Sequence, residues 1–316
     1  KALFKELMIF VIVIYLFLGG LGAGAYLTSF AAEKGWLGKN SRLKRAGYYI
    51  AAPVVAIGTA LLVLDLGQGL YKPWLLFRLL FNLGSVMTWG VYILSLFIII
   101  GLIKAFLVFK NKTAPSWLTW AGAVLALATG AYTGLLLAVV KAIPFWNSFL
   151  MPVLFVASAL STGLSVTALT AHFLEKEGST DATEGKVHLA LVIVEIVIVA
   201  IFFGMMAAGA KGPVGAESAS LVISGKYAIV FWGYFIALGL LLPLVVFGLE
   251  YQRAKQPGRQ VVTEPASLGT EITTTAEGSQ QSYLVLVTDL AVLVGGFALR
   301  ALVIFAALPI WDGKLQ

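Results

Sequence analysis

Eight long apolar segments constrain this chain more than any other feature of its sequence. Each approaches or exceeds the roughly 20 residues that a helix needs to cross about 30 Å of hydrocarbon. A membrane strand needs only about 10 residues of alternating polarity, and the segments show no such alternation. The sequence therefore predicts an all-α integral membrane protein with eight transmembrane helices. The segments run approximately from Leu7 to Phe30, Tyr48 to Leu66, Val86 to Val108, Trp117 to Val140, Phe149 to Thr170, Val187 to Ala210, Tyr227 to Leu249 and Tyr283 to Leu308.

Composition supports this class, since 60% of the residues are hydrophobic and only 12% are charged, against about one quarter charged in a soluble domain. The connections are mostly short, and the longest, Gln252 to Ser282, has the polar composition of a solvated loop. We therefore expect one polytopic membrane domain over residues 1–316, with four-helix bundles at about 7–140 and 149–308. No signal-peptide pattern precedes the first segment, which we interpret as a retained span.

The distribution of Lys and Arg predicts the orientation in the membrane. The odd-numbered connections, with Lys104 counted in the third, hold thirteen of the 22 basic residues, and the termini and even-numbered connections hold eight. The positive-inside rule then places the odd connections in the cytoplasm and both termini outside. This rule also explains the net charge of +7. Because no basic stripe with interleaved aromatic residues lies in a soluble domain, we expect a lipid bilayer and no nucleic acid as partner.

Two residue types limit the cofactors. The sequence contains no cysteine, so it offers no thiolate for an iron–sulfur cluster or a thiolate metal site. It contains two histidines, His172 and His188, which cannot supply the four imidazoles of a two-haem site. A role at a loop edge is the favoured interpretation for both, over ligation of a single haem. We expect no metal, haem or iron–sulfur cluster in this chain.

The first helix carries the small-residue stretch Gly19-Gly20-Leu21-Gly22-Ala23-Gly24-Ala25-Tyr26. Tyr15, Gly19 and Gly22 recur at intervals of four and three residues and so share one helix face. Small residues allow either another helix or a flat ligand ring to approach the backbone closely. For the glycines taken alone, tight helix packing is the favoured interpretation.

Polar side chains gather at the outer ends of the first four helices. Asp65 ends the second helix and is followed by Gln68 and Lys72, while Tyr132 lies in the outer half of the fourth. An apolar slot with a few hydrogen-bonding groups suits a quinone, because tyrosine, aspartate or lysine side chains can contact its carbonyl oxygens. The alternative is an interfacial loop in which Asp65 pairs with Lys72 or Arg78.

Several segments resemble the NrfD/PsrC family, the membrane subunits of polysulfide-reductase-type complexes. The resemblance is carried by GGLGAGAYL, LDLGQ followed by Trp74, SVMTWGVYIL and AYTGLLL over about the first 165 residues, and by helix count and layout thereafter. It implies eight helices in two bundles, no haem and a menaquinone site near the outer surface. It also implies a partner with several iron–sulfur clusters, usually with a molybdopterin catalytic subunit beyond it. The location that it implies is the cytoplasmic membrane of a bacterium or archaeon.

The resemblance transfers a quinone-site role to Tyr15, Asp65 and Tyr132, with Gln68 and Lys72 as further candidates. Some family members carry a histidine and an asparagine in the first helix, and here Tyr15 and the apolar residues one turn before it occupy those places. The expected function is exchange of electrons between menaquinone and the iron–sulfur partner in anaerobic respiration. The competing classes are an ion- or proton-coupled secondary transporter and a membrane anchor that binds no quinone.

A second polar set lies deeper, with Glu195 in the sixth helix and Asp289 and Arg300 in the eighth. Asp289 and Arg300 are eleven residues apart, close to three helical turns, and so point the same way. The set is compatible with a proton route toward the quinone and equally with a buried charge network that fixes helix packing. In a transporter, Asp65, Glu195 and Asp289 would bind ions or protons.

Overall fold

A computed structural model describes residues 2–38, 41–65, 81–82, 84–174, 182–254 and 271–310. Side chains are described within these ranges for residues 9–38, 41–63, 81–82, 84–174, 183–252 and 283–310. The elements are α1 (Ala2–Glu33), α2 (Leu43–Asp65), α3 (Val86–Phe109), α4 (Ser116–Ala138), α5 (Leu150–Leu174), α6 (Ala182–Ala207), α7 (Gly212–Ile223), a π-helical segment (Val230–Leu241), α8 (Leu242–Ala254) and α9 (Glu271–Phe305).

Within the described ranges, eight helices are long and apolar enough to cross a membrane, which confirms the predicted class. In hydrocarbon no water can satisfy backbone N–H and C=O groups, so a chain this apolar must pair them within helices. The π-helical segment and α8 together form the seventh span, whereas α7 has only 12 residues and lies between the sixth and seventh. The first span continues to Glu33, where Gly35, at a φ of 80°, closes the helix. The amide of Trp36 there donates to the carbonyl of Ala31.

The spans pack as two rings of four. In the first ring α1 contacts α2 and α4, and α3 contacts α2 and α4. In the second ring α5 contacts α6 and α9, and the seventh span contacts the same two helices. Extensive packing of α1 on α5, with further contacts of α1 on α9 and of α4 on α5, joins the rings into one body.

The glycines of α1 permit this close packing of helices. Gly22 faces α2, where a Cβ would collide with Val55 and the backbone of Ala51. Gly24 faces the other way, onto α5, where a Cβ would collide with the carbonyl group of Ala159. The alternating small residues therefore let α1 approach both rings, as small residues do in membrane helix pairs.

Candidate functional site

Two tyrosines meet inside the first ring. Tyr15 of α1 is fully buried, and within the described part of the chain its phenol oxygen has no hydrogen-bond partner. Tyr132 of α4 is also buried, and the two phenols are close enough to interact electrostatically. A buried hydroxyl without a partner costs free energy, so the Tyr15 phenol is a donor in need of an acceptor.

Glycines on the two remaining helices of the ring accommodate these phenols. The phenol end of Tyr132 lies against Gly90 of α3, in the space that a Cβ would fill. Gly58 of α2 packs against the backbone and ring of Tyr15. All four helices of the first ring therefore contribute to one centre, which we call the Tyr15–Tyr132 site.

Two threonines of α4 near the site already donate within their own helix. The Thr133 hydroxyl donates to the carbonyl oxygen of Gly130 over 2.7 Å, and that of Thr129 donates to Leu125 over 2.8 Å. Gly19 lies beside the site, with the Thr133 methyl group 3.2 Å from the position of a Cβ. Gly22, in contrast, is brought against α2 as a packing contact.

The side chains of the remaining residues predicted for the quinone site lie outside the described residues. The backbone of α2 ends at Asp65, whose side chain falls outside the described residues. Gln68 and Lys72 also fall outside the described residues. Their roles remain predictions.

The second ring contains a column of buried polar side chains between α5, α6 and α9. Helical spacing aligns them, because residues about four or seven apart share one face of a helix. The column runs from an ion pair at one end of the bundle to a guanidinium against α1. Its members are Ser158, Ser161 and Ser165 on α5, Glu184, His188 and Glu195 on α6, and Asp289 and Arg300 on α9.

Arg300 connects this column to the first ring. Its side chain is fully buried, and its Nη1 donates to the Ser158 hydroxyl over 2.9 Å and to the Gly296 carbonyl over 2.7 Å. Its Nε donates to the carbonyl of Leu16 on α1 over 3.4 Å. Leu16 is the neighbour of Tyr15, so the column ends one residue from the Tyr15–Tyr132 site. Sequence spacing had placed Arg300 on the same side of its helix as Asp289, but it gave no sign of the contact with α1.

Glu195 lies beside the Arg300 guanidinium inside the column. Its carboxyl group is buried, faces Ser158 and Ser161, and interacts electrostatically with Arg300. The Arg300 Nη2 has no hydrogen-bond partner among the described residues and packs against Gly20 of α1. A buried carboxyl group and hydroxyls beside a guanidinium can either hold helices together or pass protons.

Asp289 and His188 form the next level of the column. The Nε2 atom of His188 lies 4.0 Å from Oδ1 of Asp289, and both side chains are buried. The expectation of a loop-edge role for both histidines is therefore wrong for His188 and fits only His172, which is exposed in the last turn of α5. The signal in the sequence was the spacing of Glu184, His188 and Glu195 on one face of α6.

A further polar cluster links the helices of the first ring at the end away from Tyr15. Nζ of Lys104 lies 2.8 Å from Oε2 of Glu33, and the Tyr48 hydroxyl donates to the same oxygen over 2.6 Å. Lys104 also donates to the Thr119 hydroxyl over 3.0 Å. Counting Lys104 with the third connection was therefore wrong, because it is a buried residue of α3.

Comparison with known proteins supplies the family. The model of the family described as polysulphide reductase, NrfD, matches residues 5–269. Protein NrfD of Escherichia coli K12 is 30% identical over 269 residues, covering 74% of this chain and 82% of that protein. The C subunit of the polysulfide reductase of Wolinella succinogenes is 30% identical over 262 residues, covering 74% of this sequence and 81% of that subunit.

A more distant relative is the Hdr-like menaquinol oxidoreductase integral membrane subunit of Archaeoglobus fulgidus. It is 24% identical over 236 residues, covering 72% of this chain and 58% of that protein. The family match covers the first seven spans and ends before α9, so it includes the Tyr15–Tyr132 site and the members of the polar column on α5 and α6. The predicted resemblance is thereby confirmed, and this chain belongs to the NrfD family of polysulphide-reductase-type proteins.

Proposed function

We propose that the chain is a membrane subunit of a respiratory oxidoreductase complex and exchanges electrons between menaquinone and an iron–sulfur partner subunit. Membership of the NrfD family supports the class of complex. The names of two relatives, a polysulfide reductase subunit and a menaquinol oxidoreductase membrane subunit, support the same chemistry. The observation that carries the proposal is the fully buried Tyr15 phenol, which lacks an acceptor within the described residues.

The Tyr15–Tyr132 site fits a quinone head group. A quinone presents two carbonyl oxygens that accept hydrogen bonds, and the Tyr15 and Tyr132 hydroxyls are donors set in apolar, glycine-lined surroundings. When bound, the quinone supplies the redox chemistry, and the protein supplies orientation and protons. In this proposal Asp65 exchanges protons with the outer surface, and Gln68 and Lys72 add contacts from the second connection.

Substitution of the two phenols tests this site. Tyr15→Phe and Tyr132→Phe each keep the ring and remove one donor, so we expect kcat/KM for quinone to fall roughly tenfold or more. Tyr26→Phe is the matched control, because Tyr26 lies eleven residues further along α1 and its hydroxyl donates to the carbonyl of Thr119. Steady-state quinone kinetics of the purified complex give the answer. Wild-type kinetics in both variants, with assembly intact, would rule the site out.

An electron-transfer partner follows from the composition of the chain. The sequence has no cysteine, so electrons must reach or leave the quinone through another subunit. We propose that iron–sulfur clusters in that subunit carry the electrons. A molybdopterin subunit beyond it is the proposed catalytic subunit. Tunnelling favours a short distance, so we place the docking surface at the second connection, between α2 and α3. Cross-linking should join that connection to the iron–sulfur subunit. Cross-links confined to the odd-numbered connections would contradict this docking surface.

The polar column is the proposed proton route for the same reaction. Its members predicted from the sequence are Glu195, Asp289 and Arg300, and the contact of Arg300 with Leu16 of α1 supports a link to the quinone site. Quinone reduction takes up two protons and quinol oxidation releases two. If the column conducts, Glu195→Gln should weaken charge separation by the complex in vesicles while quinone binding persists. Unchanged charge separation would favour a packing network.

A further inference from the structure

His188 and Asp289 form a buried pair whose side chains are too far apart for a direct hydrogen bond. The 4.0 Å between Nε2 of His188 and Oδ1 of Asp289 exceeds a hydrogen bond of about 2.7–3.2 Å. Among the described residues, that Oδ1 atom and the nearby Ser165 hydroxyl have no hydrogen-bond partner. The His188 ring packs on Phe247 of α8, with ring centroids 4.3 Å apart and planes tilted by 30°. The imidazole therefore lies between an apolar surface and a carboxyl group that it does not bond.

Charged groups connect this pair to one end of the bundle. Arg42, in the connection between α1 and α2, lies 3.4 Å from Glu184, which is one turn before His188 on α6. Asp289 interacts electrostatically with three charged groups, namely Arg42, Glu184 and Glu250. Arg42 also interacts with His188. The Arg42 side chain is partly exposed. The pair thus lies between this surface and the hydroxyls that lead to Glu195.

A pair that serves only packing would be expected to close its hydrogen bond, because an unsatisfied buried acceptor is unfavourable. An open pair is instead suited to a group that alternates between two partners. Imidazole suits this role, since one ring nitrogen can accept a proton while the other donates one. The gap to Asp289 closes with a side-chain movement of about 1 Å.

We propose that His188 is the proton-loading residue of the column and delivers protons to Asp289. The imidazole takes a proton from the surface beside Arg42 and Glu184. The Nε2–H bond of the imidazolium then breaks as an O–H bond forms at Oδ1 of Asp289, which leaves neutral His188 ready for another proton. Ser165 lies beside Asp289 on the way to Ser161 and Glu195. This role rests on the proposed proton route.

The test uses the whole complex in sealed vesicles, with quinone turnover and proton uptake recorded together. His188→Gln keeps hydrogen-bonding capacity but cannot carry a proton, so uptake from the surface beside Arg42 should slow about tenfold or more. Quinone binding, measured as the dissociation constant of the same complex for menaquinone, should stay at the wild-type value, because His188 lies away from the Tyr15–Tyr132 site. His172→Gln, an exposed histidine at the end of α5, is the matched control and should change neither quantity.

A second variant separates proton transfer from packing. The double substitution His188→Asp with Asp289→His restores an imidazole and a carboxyl group at the same level, and it should recover much of the uptake. Wild-type uptake in His188→Gln would overturn the role of His188 alone. Failure of both variants to assemble would also overturn it, because it would identify a packing pair. A wild-type complex that turns over quinone without uptake at this surface would overturn the proton route itself.

Discussion

A single buried lysine holds the end of the first ring that lies away from Tyr15. The Lys104 ammonium contacts one residue from each neighbouring helix, through Glu33 of α1, the ring face of Tyr48 of α2 at 4.6 Å, and Thr119 of α4. A cation in an apolar bundle is unfavourable without such partners. The cluster fixes the four helices at the end of the ring away from the tyrosine pair.

Removing the lysine should therefore destabilise the ring. Lys104→Met removes the cation beside the Glu33 carboxylate and leaves it only the Tyr48 hydroxyl as partner. Because the Glu33 side chain is 36% exposed, the cost should be about 1–3 kcal/mol. The double variant with Glu33→Gln should cost less than the two single variants combined. Thermal unfolding in detergent measures this, with the exposed Lys112→Met as control. Equal stability of Lys104→Met and wild type would show that the ion pair contributes nothing.

Residue spacing predicted some of these contacts and missed others for a physical reason. Tyr15 and Tyr132 could be placed at one depth because helix length and direction fix depth in a membrane. The partners of Lys104 and His188 could not be predicted, since they depend on how each helix is rotated about its axis. That rotation is set by packing against several neighbours at once. Both residues were consequently assigned to the edges of loops.

At the scale of elements, α1 is the helix on which both rings depend. Its glycines alternate in direction, with Gly22 against α2 and Gly20 and Gly24 against the second ring. The sequence predicted close packing from these small residues but not which glycine faces which helix. The π-helical segment Val230–Leu241 was also beyond prediction, because its apolar residues read equally well as an ordinary α-helix.

A methyl group at Gly24 should force the rings apart. Gly24→Ala places a Cβ against the carbonyl of Ala159 and the backbone of Gly163, and we expect a loss of about 1–3 kcal/mol. Gly204→Ala in α6 is the control, because nothing lies within 4 Å of its added Cβ, and it should be neutral or stabilising by about 0.5–1 kcal/mol. Unfolding midpoints of the two purified variants compare them. A Gly24→Ala protein as stable as Gly204→Ala would contradict the packing described.

At the scale of the whole molecule, the two rings have different roles in the proposed function. The first ring holds the tyrosine pair, and the second holds the polar column that reaches α1 through Arg300. The number of spans and the family could be predicted from the sequence, because the length of each apolar segment and the local motifs depend only on residues close together in the chain. The link between the rings could not, since it joins residues 284 positions apart.

Orientation in the membrane can be measured with single cysteines, because the chain has none of its own. Lys112→Cys lies in the third connection and Lys226→Cys in the sixth, and both positions are exposed. The positive-inside rule predicts that an impermeant maleimide added outside labels the Lys226→Cys protein in intact cells. The Lys112→Cys protein should be labelled only after the membrane is opened. The reverse pattern would place the termini in the cytoplasm.

The location of the quinone is the central claim, and photo-labelling tests it most directly. A menaquinone analogue with a photoreactive group on the ring is bound to the wild-type complex, illuminated and located by mass spectrometry of the peptides. We predict labelled residues in α1 around Tyr15 and in α4 around Tyr132, suppressed by excess unlabelled menaquinone. Competed labelling confined to the second ring, or to the end of the first ring around Tyr26 and Lys104, would contradict the account.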